Sequence, residues 1–532
     1  MSRVLKSDYF VFSILFLLAY FLISNTLFVG FNIDDDHQFI SMRNEHNLFK
    51  DYGGNWSQFI EYQVSWFKGA RFFPFLTTII FVKAKILGSN YFMQHFIVFI
   101  SGVLCSFLIY KIFRLKNFST ISSLIGALVF FTGNEYAEIF WRLICGEGPG
   151  LLLYLSGVYF TLLYFKNQNH IAFYLSVSFL TLAALTKESF ILLMPLAIML
   201  PLIGIRNWEE MKQIIIMNKK FYLSIISVLV ILITIVVIMV LKAEKLFDYG
   251  SPLSTADVLL NNLYFTVKWF FPYFIIVLPA LILSLKSEKA FIIWQLSFFT
   301  VIWIAAHLIV YHKVIISFSM GKYIMPGGLV LIIILVCAIE YLKKYSAIIF
   351  KISLIILGFL LVRYAKITYI RANEYAAKVE AFNDLIKHLI QKGERAIAVY
   401  DGIEFNVSVM SHFKANNYNP IIYSTKAIVD ESKAKSKYHN EQFKDEMFAS
   451  LNKDFPNRTL EMLALDSSLK TLVIAEPFEV QQIAENKIKS IFPNKTTISK
   501  TYNNPKFSDL KRSACWQGKL NKSQITYMVF SK

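Results

Sequence analysis

Long apolar runs dominate this sequence and constrain what the chain can fold into. A helix needs about 20 mostly apolar residues to cross a bilayer, and about eleven segments reach or approach that length. They are residues 9–30, 91–113, 120–140, 149–165, 171–187, 189–205, 221–241, 260–285, 290–311, 323–342 and 346–365. The sequence therefore predicts a polytopic α-helical membrane protein with about eleven transmembrane helices.

One further apolar segment, residues 72–88, does not meet the requirements for a span. It is short, begins near Pro74 and carries Lys83 and Lys85. We expect a juxtamembrane or re-entrant helix there. Composition supports a membrane protein as well, because only 17% of the residues are charged and 56% are hydrophobic, whereas soluble domains have about 25% charged residues. This excludes a soluble cytosolic enzyme, a disordered chain and a small disulfide scaffold.

The charged residues divide the chain into two parts. Residues 366–532 contain 25 Lys/Arg and 18 Asp/Glu and have no apolar run long enough to cross a membrane. We therefore expect a transmembrane domain, residues 1–365, followed by a soluble α/β domain, residues 366–532. The pattern predicts buried strands at 396–400, 421–423 and 472–475 and amphipathic helices at 374–391 and 478–491.

The basic residues predict the orientation. With a cytoplasmic N-terminus, the inner segments 1–8, 111–118, 166–170, 206–220, 286–290 and 343–351 hold 15 Lys/Arg in 50 residues, against 6 in 60 for the loop 31–90. Inner loops carry the excess of Lys and Arg, so we expect the N-terminus in the cytoplasm. An odd number of spans then places the C-terminal domain outside the cytoplasm. The abundance of Lys, Asn, Ile and Phe is typical of an AT-rich bacterial genome, which suggests a bacterial cell or inner membrane.

Three adjacent carboxylates follow the first predicted span: Asp34, Asp35 and Asp36, with His37 next. Neighbouring carboxylates repel one another and lose hydration at a membrane surface. A single acidic residue there would be a polar stop for the helix, but topology signals use Lys and Arg on the inner side. The triplet therefore favours a functional site.

A second acidic set lies in the next outer loop and comprises Glu135, Glu138 and Glu147, together with Arg142. Glu138 and Arg142 are four residues apart and would pair on a helix, with about 0.3–0.5 kcal/mol of stabilisation if exposed. Glu147 is not explained by that pair. It lies between two glycines at the start of the next span, where an open backbone would allow a ligand to approach.

Cationic residues recur on the same side. Arg71 lies in Arg-Phe-Phe-Pro, Lys187-Glu188 closes the fifth span and Lys322-Tyr323 opens the tenth. Each by itself is typical of an interfacial anchor. Together with the carboxylates around one cavity, they suit an acid–base reaction with an anionic leaving group.

These residues resemble the GT-C superfamily of polyprenyl-phosphate-dependent glycosyltransferases, which includes protein O-mannosyltransferases and the lipid A aminoarabinose transferase. Asp35-Asp36 matches the acidic pair after the first span, the loop 31–90 matches the long first outer loop, and Glu138 or Glu147 matches the second acidic position. The resemblance covers roughly residues 1–340.

Three shorter motifs extend the resemblance. Arg-Phe-Phe-Pro at 71–74 is similar to an Arg-x-x-Pro element of bacterial members, and Thr186-Lys187-Glu188 resembles their Lys-Glu at the outer end of a span. Gly-Lys-Tyr-Ile-Met-Pro at 321–326 looks like their Arg-Tyr-x-x-Pro, with Lys322 in place of Arg. Because lysine lacks the planar fork of arginine, it cannot bind a phosphate in the same bidentate way.

The resemblance implies an inverting transfer of a sugar from a polyprenyl phosphate to an extracytoplasmic glycan, lipid or protein. Asp35 would be the general base, with Asp34 and Asp36 as alternatives. The remaining implied roles are orientation of the acceptor by Glu138 or Glu147, binding of the donor phosphate by Arg71, Lys187 and Lys322, and support by His37, Arg142, Glu188 and Tyr323.

Cofactors and partners follow from the same resemblance. Asp34-x-Asp36 matches an Asp-x-Asp metal motif that would suit Mg or Mn, but family members with lipid monophosphate donors need no metal, so we expect none. The expected partners are the lipid-linked donor, the bilayer and the acceptor, with no nucleic acid.

Three other functions remain open: a transporter or flippase, a non-catalytic polysaccharide-assembly protein, and a glycan ligase of a different fold. Such a ligase would use a long loop late in the membrane domain, but the late loops here, 242–259 and 312–322, are short. Transporters place ionisable residues at mid-bilayer and often show inverted repeats. Here the ionisable residues lie at the outer boundary and no repeat is visible, which favours the enzyme.

Overall fold

The computed structural model describes residues 8–31, 74–242 with gaps at 89, 134–135, 144–145, 204 and 206, 255–284, parts of 297–304, 321–400 except 394, most of 409–424, and the strands beyond. Within these residues the chain is mainly helical. The helices are α1 (Asp8–Ile23), α2 (Pro74–Leu87), α3 (Tyr91–Leu115), α4 (Thr120–Thr132), α5 (Glu147–Asn167), α6 (His170–Thr186), α7 (Met194–Met199), α8 (Trp208–Met217), α9 (Lys219–Lys242), α10 (Thr255–Ser284), α11 (Gly321–Tyr345) and α12 (Ala347–Lys392).

The chain is a polytopic α-helical membrane protein. In the part of the chain that the structure describes, five helices are long and apolar enough to cross a bilayer: Asp8–Leu27, Tyr91–Leu115, Glu147–Asn167, Lys219–Ile238 and Ala347–Asn373. A sixth is α10 if its two halves, which bend by 65° between Lys268 and Phe271, form one span. The bend lies next to Pro272, where a proline removes a helical hydrogen bond.

Some predicted spans differ from the helices that form. The segment 189–205 is a 3-10 turn (Glu188–Phe190) followed by the short helix α7, because Pro195 and Pro201 do not fit a continuous helix. The segment 120–140 forms the 13 residues of α4, which is capped by Gly133, and the 3-10 turn Ala137–Phe140. Most of 290–311 lies outside the described residues. The predicted number of eleven spans therefore stays a prediction.

The helices α5 and α6 form a tight antiparallel hairpin. Gln168 ends α5 in the left-handed conformation (φ 53°), and the Asn169 side chain caps α6 by accepting from the Ile171 amide at 2.9 Å. A Cβ on Gly157 would lie 2.7 Å from Leu180, so only glycine allows this approach. Thr161 and Ser176 share a buried hydrogen bond of 2.5 Å between the two helices.

Polar contacts join the helix ends at the end of the bundle predicted to be cytoplasmic. Asp8 of α1 pairs with Lys111 of α3 at 2.5 Å. Glu340 of α11 caps α4, since its Oε2 accepts from the Ser119 amide at 3.3 Å and from the hydroxyls of Ser119 and Ser122 at 2.8 and 2.7 Å. Segments predicted to share one side of the membrane thus lie at the same end.

The strands of the C-terminal part form one mixed sheet with the order β2-β1-β3-β5-β4. They are β1 (Ala396–Tyr400), β2 (Ile421–Ser424), β3 (Thr471–Ile474), β4 (Thr496–Asn503) and β5 (Gln524–Ser531). Strand β1 is parallel to β2 and β3, with Ile397 opposite Ile422 and Thr471, whereas β5 is antiparallel to β3 and β4. The three predicted strands are confirmed. The predicted helix 478–491 lies almost entirely outside the described residues.

Helix α12 joins the membrane part to the sheet. It runs for 46 residues without a break, through the predicted domain boundary at 365/366 and the predicted helix 374–391, and contacts β4 and β5. Its membrane portion is only 11% buried inside the protein, whereas Phe382, Leu385 and Leu389 beyond it are fully buried. One continuous helix therefore connects the apolar segment to the sheet.

Candidate functional site

Many predicted site residues belong to segments that the structure does not describe. Asp34, Asp35, Asp36, His37 and Arg71 all lie within residues 32–73, outside the described residues. Glu138, Lys322 and Tyr323 are described by backbone alone: Glu138 in a 3-10 turn and the other two in the first turn of α11. The side chains that can be examined are those of Arg142, Glu147, Lys187 and Glu188.

Glu147 and Lys187 form an ion pair. Glu147 is the first residue of α5, and Lys187 directly follows α6 in an extended conformation. The Lys187 Nζ donates to the Glu147 Oε1. The sequence analysis gave these residues separate roles, as an acceptor-orienting carboxylate and as a phosphate-binding cation, and the fold brings them into contact.

Burial differs sharply between the two partners. The Glu147 side chain is 3% exposed and that of Lys187 is 21% exposed. A buried carboxylate needs a cationic or hydrogen-bonding partner to offset its lost hydration, and its position at the N-terminus of α5 is also favourable to negative charge. Lys187 is therefore the more exposed residue of the pair.

Glycines beside Glu147 allow three helices to meet there. A Cβ on Gly146 would lie 2.9 Å from the Leu76 side chain of α2 and 3.5 Å from the Thr186 carbonyl of α6. A Cβ on Gly150 would lie 2.3 Å from the Phe190 ring. The sequence analysis interpreted the neighbouring glycines as open backbone for a ligand, but the structure shows close packing of α2, α5 and α6 instead.

The α-helix on which Glu138 and Arg142 were predicted to face each other does not form. Residues Ala137–Phe140 are a single 3-10 turn, and Trp141 and Arg142 follow it outside any helix. The geometry expected for positions four apart on an α-helix therefore does not apply to this segment. The segment instead buries Tyr136, Phe140 and Trp141 in the core.

A second polar junction, next to this site, was missed by the sequence analysis. His95 of α3 is fully buried, with Nδ1 3.2 Å from the Trp141 carbonyl and Nε2 3.3 Å from the Gly30 carbonyl. Gln94, also fully buried, donates to the carbonyls of Lys83 and Gly88 at 3.3 Å. Adjacent Gln and His at the beginning of an otherwise apolar span were the signal that could have indicated it.

Helix α2 links both junctions. Lys83 donates from Nζ to the Leu143 carbonyl at 3.3 Å, and Ile80 forms a buried cluster with Val98 and Leu143, against which Phe31 and Leu76 pack. The predicted helix at 72–88 is confirmed as Pro74–Leu87. It brings the end of the first span, the loop before Glu147 and the start of α3 together at one end of the bundle.

Among the described residues, no group of three or more His, Cys, Asp or Glu side chains could hold a metal ion. The Asp-x-Asp motif lies outside them, so the expectation about metals is untested. Cys105 and Cys337 are buried free thiols, in agreement with their predicted location within spans.

The fold is similar to a solved structure. No family model matches the chain, and no curated protein matches it in sequence. In three dimensions it matches the crystal structure of ArnT from Cupriavidus metallidurans in the apo state, with a TM-score of 0.50 over 97% of each chain at 11% sequence identity. ArnT is an aminoarabinose transferase of the GT-C family. The chain therefore has a GT-C-like fold.

Proposed function

We propose that this protein is a membrane glycosyltransferase that transfers a sugar from a polyprenyl phosphate to an extracytoplasmic acceptor with inversion. The observation that carries the proposal is the Glu147–Lys187 pair at the meeting point of α2, α5 and α6. It supplies a carboxylate and a partly exposed lysine at the end of the bundle where the first span ends. The acidic triplet follows that span in the sequence. The GT-C-like fold supports the same function.

In this mechanism Asp35 removes the proton from an acceptor hydroxyl or amine, and Asp34 and Asp36 are alternative bases. The deprotonated acceptor attacks the anomeric carbon from the face opposite the lipid phosphate. The bond between that carbon and the phosphate oxygen breaks, and the polyprenyl phosphate leaves with the electron pair. The proton stays on the carboxylate until solvent removes it.

The cations stabilise the leaving group. The negative charge that develops on the phosphate would be bound by Lys187, Arg71 and Lys322. Because Lys187 pairs with Glu147, the donor phosphate would compete with Glu147 for the ammonium. The released carboxylate could then accept a hydrogen bond from the acceptor or from a sugar hydroxyl, with Glu138 as the alternative for this role.

We further propose that the N-terminus is cytoplasmic and that this site and the C-terminal domain lie outside the cytoplasm. The proposal rests on the distribution of Lys and Arg among the short loops. A multi-pass arrangement also provides apolar surface for the prenyl chain of the donor.

The test uses the full chain in nanodiscs with a panel of synthetic polyprenyl-phosphate-linked sugars: mannose, glucose, galactose and 4-aminoarabinose. Release of polyprenyl phosphate in the presence of cell-envelope extract measures transfer. Asp35→Asn should lower the rate by about 100-fold or more, whereas Glu210→Gln, on the exposed face of α8, should leave it unchanged.

Unchanged transfer in Asp35→Asn would exclude Asp35 as the base. Movement of the intact lipid-linked sugars across a bilayer without release of polyprenyl phosphate would support the flippase alternative. Mass spectrometry of surface glycans and glycoproteins from a deletion strain would then identify the missing sugar and its acceptor.

A further inference from the structure

The segment between α1 and the acidic triplet is held from several sides. We call this segment, residues 25–31, the neck. It follows α1 and ends three residues before Asp34. We infer that the C-terminal domain, through His412 and the part of α12 from Ala376 to Asn383, is a positioning element that fixes the neck, the backbone from which the acidic triplet continues. The inference rests on the proposed role of that triplet as the base.

Two buried histidines hold consecutive carbonyls of the neck. His95 Nε2 lies 3.3 Å from the Gly30 carbonyl, and His412 Nε2 lies 3.2 Å from the Phe31 carbonyl. The two histidines are 0% and 4% exposed. They come from α3 and from the chain beyond β1, so distant parts of the sequence converge on two consecutive peptide units.

The extension of α12 packs along the rest of the neck. Val29 is buried against Ala376 and Val379. A Cβ on Gly30 would lie 2.6 Å from the Asn383 amide nitrogen, so the backbone of the neck lies directly against the helix. Nearer the membrane, Asn25 donates to the Asn373 side-chain oxygen.

The position of His412 is itself determined by α12. Its ring packs edge-on against Phe382, with the ring centroids 4.6 Å apart, and Phe382 is fully buried. The side chain of Asn416 donates to the His412 carbonyl at 2.7 Å, which fixes the backbone there. The position of the His412 imidazole therefore depends on contacts with α12 and Asn416 as well as on the neck.

The geometry limits where the triplet can lie. An extended chain advances at most about 3.6 Å per residue, so the Asp35 Cα is within about 15 Å of the Phe31 Cα. Fixing Phe31 therefore limits the space that Asp35 can sample. Since misplacement of a catalytic group by about 1 Å can lower a rate about 100-fold, a loose neck would slow the reaction without removing any reacting group.

The experiment compares His412→Ala, His412→Gln and the control His170→Ala in the full chain. Glutamine retains an N–H donor at a similar reach to Nε2, and His170 is exposed at the opposite end of the bundle. Amide hydrogen exchange of residues 28–36 is followed by mass spectrometry without any ligand. Transfer is measured with the donor that the nanodisc panel identifies, and the apparent melting temperature is recorded for each variant.

We expect about fivefold faster exchange of residues 28–36 in His412→Ala. We also expect a kcat about 10- to 100-fold lower with the KM for the donor unchanged. His412→Gln should restore both, and His170→Ala should match the wild type. Unchanged exchange in His412→Ala would overturn the inference, as would faster exchange with an unchanged kcat.

The outcomes separate the inference from the proposed function. If the wild-type chain transfers no sugar from any donor, the proposed function fails, and the catalytic role of the neck fails with it. If Asp35→Asn abolishes transfer but His412→Ala leaves kcat and exchange unchanged, the enzyme assignment stands and only the inference is overturned.

Discussion

The Glu147–Lys187 pair gives a prediction whose size follows from burial. Lys187→Met removes the ammonium group from a carboxylate that is only 3% exposed. Loss of one partner from a buried ion pair lowers the free energy of unfolding by about 3–5 kcal/mol. Glu147→Gln should have a smaller effect, about 1–3 kcal/mol, because the Lys187 side chain is 21% exposed and can regain hydration.

The double variant tests whether the two residues act as a pair. When both residues are replaced, neither charge is left without the other, so the destabilisation of the double variant should be smaller than the sum of the single effects by about 2 kcal/mol. The free energy of unfolding is measured in mixed micelles by titration with a denaturing detergent. Lys166→Met is the control, since Lys166 lies exposed in the last turn of α5, the helix that begins at Glu147.

The reasoning would be refuted if Lys187→Met lowered the free energy of unfolding no more than Lys166→Met does. It would also be refuted if the two single effects simply added. The same variants also test the proposed function. If Lys187 binds the donor phosphate, its replacement should raise the KM for a lipid-linked donor.

Two further predictions concern packing and capping. Gly150→Ala should lower the free energy of unfolding by about 1–3 kcal/mol, because its Cβ would lie 2.3 Å from the Phe190 ring. Gly358→Ala is the matched control, since nothing lies within 4 Å of its Cβ. This control should stabilise α12 by about 0.5–1 kcal/mol. Equal effects of the two substitutions would contradict the packing argument. Glu340→Ala removes the acceptor that caps α4 and should lower the free energy of unfolding by about 1–3 kcal/mol in the same titration. A change below about 0.5 kcal/mol, which is typical of surface sites, would show that this cap contributes little.

The sequence predicted the elements better than it predicted the contacts between them. The first two spans and the helices at 147–167 and 219–242 follow from apolar length alone, since a bilayer sets that length. The strands at 396–400, 421–424 and 471–474 follow from short apolar runs between polar segments. The broken segment at 189–205 was missed because mean hydropathy is insensitive to Pro195 and Pro201.

The candidate site was predicted in part. Glu147 and Lys187 were selected as charged residues at span ends, but their pairing depends on the α5–α6 hairpin, whose two ends meet only after the chain has turned at Gln168. Only the neighbouring Gln94 marks His95 in the sequence, and His412 lies in a polar segment where a histidine does not stand out. Their partners are backbone carbonyls, which every residue has, so no sequence pattern marks them.

Helix α2 explains why these separate features belong to one site. At 14 residues it is about 21 Å long, shorter than the hydrocarbon core of about 30 Å, and Leu76, Ile80 and Lys83 are spaced to lie on one face. That face reaches Gly146 beside Glu147, the cluster that includes Phe31 of the neck, and the Leu143 carbonyl. One face of this short helix therefore joins the residues beside Glu147 to the neck that precedes the acidic triplet in the sequence.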